Sequence, residues 1–373
     1  MRPAKVEYLE GLRGVAAMQV LLLHFFTGFL PETAGRVWPP FNLAFDGHTA
    51  VYVFFLISGT VLTPSFARPG SFAAKMARRV VRLGIPVAAA AAIAAVLIGW
   101  LPEAHRQAAA ITGSAWLAMD SSGAPTLAHL AREIGVDSLL LGYREATLFG
   151  PVAAQLPPME RSLDAPFWSL HLELYGSLLV LCLVTLRERS ARAHRIAVAA
   201  SAVVFGTHPM FLFVLGHLAF PLLRRPSIWL GALLLLSGVA LCATKDWSAV
   251  EWLRVTLAHT ELAAAPNLYQ FQSQLGAVAL YFGILLCPPM QRPLASVIGR
   301  VLGRLSFSIY LLHFPILFTL VAFAALYLPI GAAFVLFLLL TLLAAIAFER
   351  WVDRPAIALS RVLSARPLSA GSR

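Results

Sequence analysis

Long apolar runs alternate with short basic segments along the whole chain. The apolar runs lie near residues 12–30, 47–65, 84–101, 168–186, 196–206, 209–223, 227–244, 275–290, 307–327 and 330–349. Most approach the length of about 18 residues at which a helix crosses roughly 30 Å of hydrocarbon. The pattern predicts an all-α, polytopic integral membrane protein with about ten transmembrane helices. The fifth and sixth runs are the exceptions. Ile196 to Phe205 is too short to cross alone, and Gly206, Thr207, His208 and Pro209 separate it from its successor. Arg187, Arg189, Arg192 and Arg195 precede this pair and Arg224 and Arg225 follow it, so it reads as a hairpin that returns to one side.

Composition removes the soluble alternative. Hydrophobic residues make up 59% of the 373, charged residues only 13%, and the mean hydropathy is +0.77, whereas soluble domains are about one-quarter charged. A net charge of +11 raises the question of nucleic acid. The basic residues, however, sit in short clusters between apolar runs, which is how membrane topology is encoded, so no nucleic-acid partner is indicated. All but Arg36, Arg106, Arg132, Arg144, Arg161, Lys245 and Arg254 fall in segments on one side. This asymmetry predicts both termini in the cytoplasm and a multi-pass protein of a bacterial-type inner membrane. The first run has no small-residue cleavage site and reads as a retained helix. Cys182, Cys242 and Cys287 lack the spacing of a metal site and read as small core residues. The expected organisation is a transmembrane domain over residues 1–355 and a basic tail over 356–373. Polar stretches at 102–167 and 245–274, with an amphipathic piece from Thr126 to Leu141, are expected to cap an outer vestibule.

Within this frame a few residues could carry chemistry. Arg13 and His24 are eleven positions apart, about 20° from three full helical turns, so they share a face with a rise of roughly 16 Å between them. An ionisable residue inside a membrane is costly and marks a site or pathway, and imidazole is suited to taking a proton from a hydroxyl. A packing histidine remains the alternative for His24. Lys75, Arg78, Arg79 and Arg82 open the third run. Guanidinium groups bind phosphate bidentately, as coenzyme A would require, although by charge alone topology or anionic lipid headgroups account for such a cluster better. Trp168, His171 and Glu173 mark the outer start of the fourth run. Glu173 is expected at the depth of His24, where a carboxylate could orient an imidazole, while Trp168 and His171 are placed to meet an acceptor. Trp168 also fits an interfacial aromatic belt. His313 is expected in the cytoplasmic half of the ninth run, in reach of a donor. Phe54-Phe55-Leu56-Ile57-Ser58-Gly59 reads chiefly as a small-residue helix contact. No metal site is expected.

Taken together these segments resemble the membrane acyltransferase-3 family over nearly the whole chain. The likeness rests on five motifs in order: Glu10-Gly11-Leu12-Arg13-Gly14 followed by His24, Val53 to Gly59, Arg79-Val80-Val81-Arg82, Trp168 to Glu173, and Glu349-Arg350-Trp351-Val352-Asp353-Arg354-Pro355. Glu10 stands where aspartate is usual, and Thr60 where an aromatic often follows. The resemblance implies a ten-helix membrane enzyme that moves acyl groups, commonly acetyl, from acyl-CoA to hydroxyls of cell-surface glycans. It implies a catalytic role for His24, a supporting one for Arg13, and donor binding by Arg79 and Arg82. Many relatives add an extracytoplasmic hydrolase-like domain. None is expected in this sequence, so the acceptor would be handled within the membrane domain. A proton-coupled transporter or lipid-linked glycan flippase would also use membrane His, Arg and Glu residues, but would not consume a thioester.

Overall fold

The computed structural model describes residues 6–34, 39–119, 125–244, 247–258 and 268–365. Every regular element among them is helical. The principal helices are α1 (Glu7–Phe29), α2 (Gly47–Phe66), α3 (Phe72–Trp100), α4 (Leu170–Arg189), α5 (Ala191–Phe205), α6 (Met210–Ala219), α7 (Ile228–Ala243), α8 (Leu268–Leu286), α9 (Val297–Ile316), α10 (Ile330–Phe348) and α11 (Arg354–Ala365). Side-chain caps set several starts: Asp46 accepts from the Thr49 amide at 3.0 Å before α2, Ser71 from Ala74 at 3.1 Å before α3, and Ser296 from Gly299 at 3.2 Å before α9.

Among the described residues six helices are long and apolar enough to span a bilayer, or up to eight if each bent pair counts as one crossing. The runs near 227–244 and 275–290 belong to those bent pairs, the second turning by 96° at Cys287, where Pro288 and Pro289 open the next helix. The fifth and sixth runs are α5 and α6, both short, joined through Gly206 to Pro209. Two helices also begin earlier than the apolar pattern predicts. α3 starts at Phe72 rather than near 84, and α9 at Val297 rather than near 307, because capped, amphipathic turns extend both beyond their apolar stretch. Beyond residue 355 the chain continues as α11, which packs on α3 and buries Ala356 and Ser360. The expected tail is therefore part of the bundle up to Ala365, and 366–373 lies outside the described residues.

α1 and α9 run side by side in the same direction. A side chain at Gly14 would strike the backbone of Leu302 and Gly303, and one at Gly303 the carbonyl of Glu10. Only glycine lets the two backbones approach this closely. At their start Arg300 pairs with Glu7 at 3.0 Å. A second close crossing pairs Gly59 of α2 with Gly216 of α6, each facing the other helix's backbone. The segment from Thr126 to Ser169 does not float above the bundle: its turns pack on α3 and α4. It carries a buried network in which Ser162 and Tyr143 both donate to Glu133.

Candidate functional site

The register set by Gly14 and Gly303 brings His24 of α1 against His313 of α9. His24 Nδ1 lies 2.8 Å from His313 Nε2. The rings are 7° from parallel with centroids 5.1 Å apart, the separation of coplanar rings joined edge to edge rather than stacked. His313 Nδ1 is 2.9 Å from the carbonyl of Ile309, which can only accept. With both rings neutral the network assigns the protons: His313 donates through Nδ1 to Ile309, so its Nε2 accepts from His24 Nδ1. His24 Nε2 is left with a free lone pair, the position a base needs. Trp116 lies nearly parallel to His24 at 5.4 Å, and Phe314 meets it edge-on at 5.5 Å. Ser114 holds the Trp116 segment to α1 by donating to Thr27 O at 3.0 Å. Trp116 carried no sequence signal, because its segment touches α1 only through tertiary packing.

His313 therefore sits level with His24 rather than in the cytoplasmic half of its helix where the sequence placed it. The reason is the ten residues by which α9 begins early, which carry position 313 roughly 15 Å further along the axis than the apolar run implied.

Glu173 also sits elsewhere than expected. It forms an ion pair with Arg79 and accepts from Ser58 Oγ at 2.8 Å. Arg79 Nε donates to Ser177 Oγ at 2.7 Å, and Ser177 donates on to the Glu173 carbonyl. Arg79 is seven residues into α3, about 10 Å from its start, so Glu173 belongs to that level, and among the described residues it has no hydrogen bond or ion pair with an imidazole. The pair neutralises both charges in a largely buried setting, where an unpaired charge costs several kcal/mol or more. Ser58, read from sequence only as part of a packing motif, thus joins Ser177 as a hydroxyl member of this network.

A cavity of about 560 Å³ lies beside this pair, lined by Arg13, Arg68, Arg79, Arg82, Arg304 and Arg361 against Glu10, Glu173, Glu349 and Asp353. Arg79 is taken by Glu173, and Arg304 and Arg354 lie 3.8 and 2.7 Å from Glu349. Arg13 and Arg82 have no ion pair among the described residues, and Arg13 Nε is buried without a hydrogen-bond partner. Arg13 instead faces the Phe54 ring at 5.9 Å, a cation–π approach. Arg78 does not line the cavity, and neither do His24 and His313. The inner wall is formed by Phe54, Ser169 and Tyr310. Tyr310 donates to Pro166 O at 2.8 Å, and its oxygen lies 2.8 Å from Ser169 Oγ. Its ring centroid is 6.1 Å from that of His313. One aromatic side chain thus separates the arginine-lined space from the histidine pair.

Trp168 is half-buried, 6.3 Å from His48. His171 is fully buried, with neither ring nitrogen hydrogen-bonded, against Gly142, whose φ of 76° and closeness to the imidazole both demand glycine. Burial removes His171 from the exposed surface where the sequence expected it to meet an acceptor. Among the described residues no three His, Cys, Asp or Glu side chains gather as metal ligands.

No curated protein and no solved structure matches this chain. The model of one family does: it describes an acyltransferase domain and aligns with residues 6–350, which include the histidine pair, the Arg79–Glu173 network and most of the cavity wall. The chain belongs to the membrane acyltransferase-3 family.

Proposed function

We propose that this membrane acyltransferase takes its acyl group, most simply acetyl, from a cytoplasmic acyl-CoA and transfers it to a hydroxyl of a glycan or related acceptor reached from the outer face. The observation that carries the reading is the arginine-lined cavity ending one aromatic ring away from a histidine pair whose free nitrogen is His24 Nε2. Unpaired Arg13 and Arg82 suit the phosphates and developing charge of such a donor. The cytoplasmic side of the reading is supported by charge: Glu10 near the start of α1 and Arg361 on the last described helix line the same cavity, at an arginine-rich end of the bundle, and such clusters favour the cytoplasmic face.

In the proposed step the acceptor oxygen attacks the thioester carbon while His24 Nε2 removes its proton. The tetrahedral intermediate collapses with cleavage of the C–S bond, and the coenzyme A thiolate takes the proton back from His24. Throughout, His24 Nδ1–H stays directed at His313 Nε2, so His313 orients the ring and supports its transient positive charge. His24 is the catalytic residue of this reading and His313 a positioning residue. A transport function would leave acyl-CoA intact.

The test is purified protein in detergent with isotopically labelled acetyl-CoA and a panel of glycans, with mass spectrometry of acceptor and protein. Label on an acceptor hydroxyl, lost in His24→Ala, is the expected result. Intact acetyl-CoA in the presence of every acceptor would overturn the reading.

A further inference from the structure

When the acceptor oxygen adds to the thioester carbon, the carbonyl oxygen becomes an oxyanion that no group named so far receives. One donor aimed at such a position supplies a factor of about 10² to 10³ in rate. The side chains around the histidine pair already spend their protons on one another. His24 Nδ1 donates to His313 Nε2 at 2.8 Å, His313 Nδ1 to Ile309 O at 2.9 Å and Tyr310 to Pro166 O at 2.8 Å. The Ser169 hydroxyl is then left to donate to the Tyr310 oxygen, also at 2.8 Å. None of these can turn to an oxyanion without breaking a bond already made.

A third imidazole stands at the same level. His48 is the second residue of α2, and the turn before it is fixed from three helices. Asp46 accepts from the Thr49 amide at 3.0 Å and from Ser273 of α8 at 2.9 Å, and its carbonyl accepts from Gln19 of α1 at 3.0 Å. Gly47 lies directly on the side chain of Leu23, the neighbour of His24. α2 therefore begins beside the turn of α1 that carries His24, and His48 is within electrostatic reach of the His24 imidazole, as His313 is. The His48 ring lies 6.3 Å from Trp168 and 6.1 Å from Tyr52, at 45° to each. Trp168 adjoins Ser169, Ser169 meets Tyr310, and Tyr310 meets His313. These side chains close a circle that starts at His24 and returns to it through His48. Val51 and Phe54, about one and two turns after His48, line the cavity, so the face of α2 along the donor's path ends at His48.

We infer that His48 is a further catalytic residue, whose ring N–H stabilises the oxyanion formed on the thioester carbonyl during acyl transfer. The inference rests on the acyl-CoA reading of the site. As the acceptor oxygen bonds to the carbonyl carbon and His24 Nε2 takes its proton, the C=O π pair moves onto oxygen, and His48 donates a hydrogen bond to it. On collapse the pair returns to the C=O bond, the C–S bond breaks and the thiolate recovers the proton from His24, while His48 keeps its own. An imidazole carries a nitrogen on each side of its ring, so it can be held at one and donate through the other. The role fits a position that is half-buried between Trp168 and Tyr52, because a hydrogen bond away from bulk water is electrostatically stronger.

The test measures binding of two donor analogues to the full chain in detergent, beside kcat and KM for acetyl-CoA. Trifluoroacetonyl-CoA, whose ketone hydrates, mimics the tetrahedral intermediate, and acetonyl-CoA mimics the ground state. Wild type is expected to bind the first more tightly by about tenfold or more. His48→Ala and His48→Phe should bring that ratio towards one with acetonyl-CoA binding unchanged, and should lower kcat by about 10² to 10³ at constant KM. Phe keeps a ring between Trp168 and Tyr52, so it separates donation from packing if Ala destabilises the fold in a thermal melt. The better of His48→Asn and His48→Gln, amides that place an N–H near one ring nitrogen or the other, should recover part of the loss. An unchanged ratio in His48→Phe would overturn the assignment, as would equal weakening of both analogues or a raised KM at full kcat, which mark a binding contact instead. Acetyl-CoA consumed at the wild-type rate by His48→Phe would remove the role of His48 and leave the acyl-CoA reading intact. If acetyl-CoA were never consumed but the hydrated analogue were still preferred through His48, the oxyanion site would stand and the acyl-transfer reading would fall.

Discussion

His24 and His313 each lie ten residues beyond a glycine, Gly14 and Gly303, at which α1 and α9 touch. Two parallel helices in contact at one level keep their register, so the glycine crossing sets the distance at which the imidazoles meet some 15 Å further on. Gly303→Leu is therefore expected to lower thermal stability by about 1–3 kcal/mol through overpacking. It should also reduce turnover by on the order of 10²-fold, because displacements of about 1 Å at a reacting group cost that much. Gly331, with open space around it, is the control for a substitution that adds bulk. Full turnover in Gly303→Leu would show that the register is not needed.

His24→Ala is expected to remove the base and cost about 10² to 10⁴ in kcat while the protein folds. His313→Gln should retain more activity than His313→Ala, because the amide oxygen can still accept from His24 Nδ1. Equal loss in the two His313 variants would assign that residue to packing.

The Arg79–Glu173 pair separates stability from chemistry. Glu173→Ala leaves a buried guanidinium without its carboxylate and is expected to destabilise by about 3–5 kcal/mol. Replacing both, as Arg79→Met with Glu173→Leu, should recover much of that loss in a thermal melt. A double variant no more stable than the single one would mean the two groups act independently.

Tyr310 stands between the cavity and the histidines. Tyr310→Ala is expected to open that partition to water and raise hydrolysis of acyl-CoA in the absence of acceptor. Free coenzyme A released over time, assayed with a thiol reagent, reads this directly. A fall in both hydrolysis and transfer would argue against the partition.

Asp164, in the segment ahead of α4, is fully buried with both carboxyl oxygens unbonded. Burial, aided by the neighbouring Glu133 carboxylate, holds its carboxyl well above the usual range. The folded state thus binds this proton more tightly than the unfolded chain. The associated stability is fully present below the ordinary carboxylate pKa and is lost as pH rises towards the elevated folded value. Asp164→Asn, which mimics the protonated form, is expected to melt above wild type at alkaline pH and to converge with it in acid. A constant difference across pH would assign the effect to packing.

What the amino-acid sequence determined by itself was everything written in local pattern: an all-helical membrane protein, the family motifs, the histidine on α1 and the basic opening of α3. Hydrophobic runs and charge clusters act through the solvent each segment prefers, so they are legible one segment at a time. The pairings were not. Glu173 was matched to His24 by depth within its own helix, yet it meets Arg79 because α3 extends beyond its apolar stretch through a Ser71-capped turn. His313 was read as a donor contact because the polar first turns of α9 conceal where that helix starts. Trp116, Ser58, Tyr310 and Arg361 acquire their places only when elements far apart in the chain pack together. Their partners are selected by helix register and close glycine contacts, and these are properties of two chain segments at once.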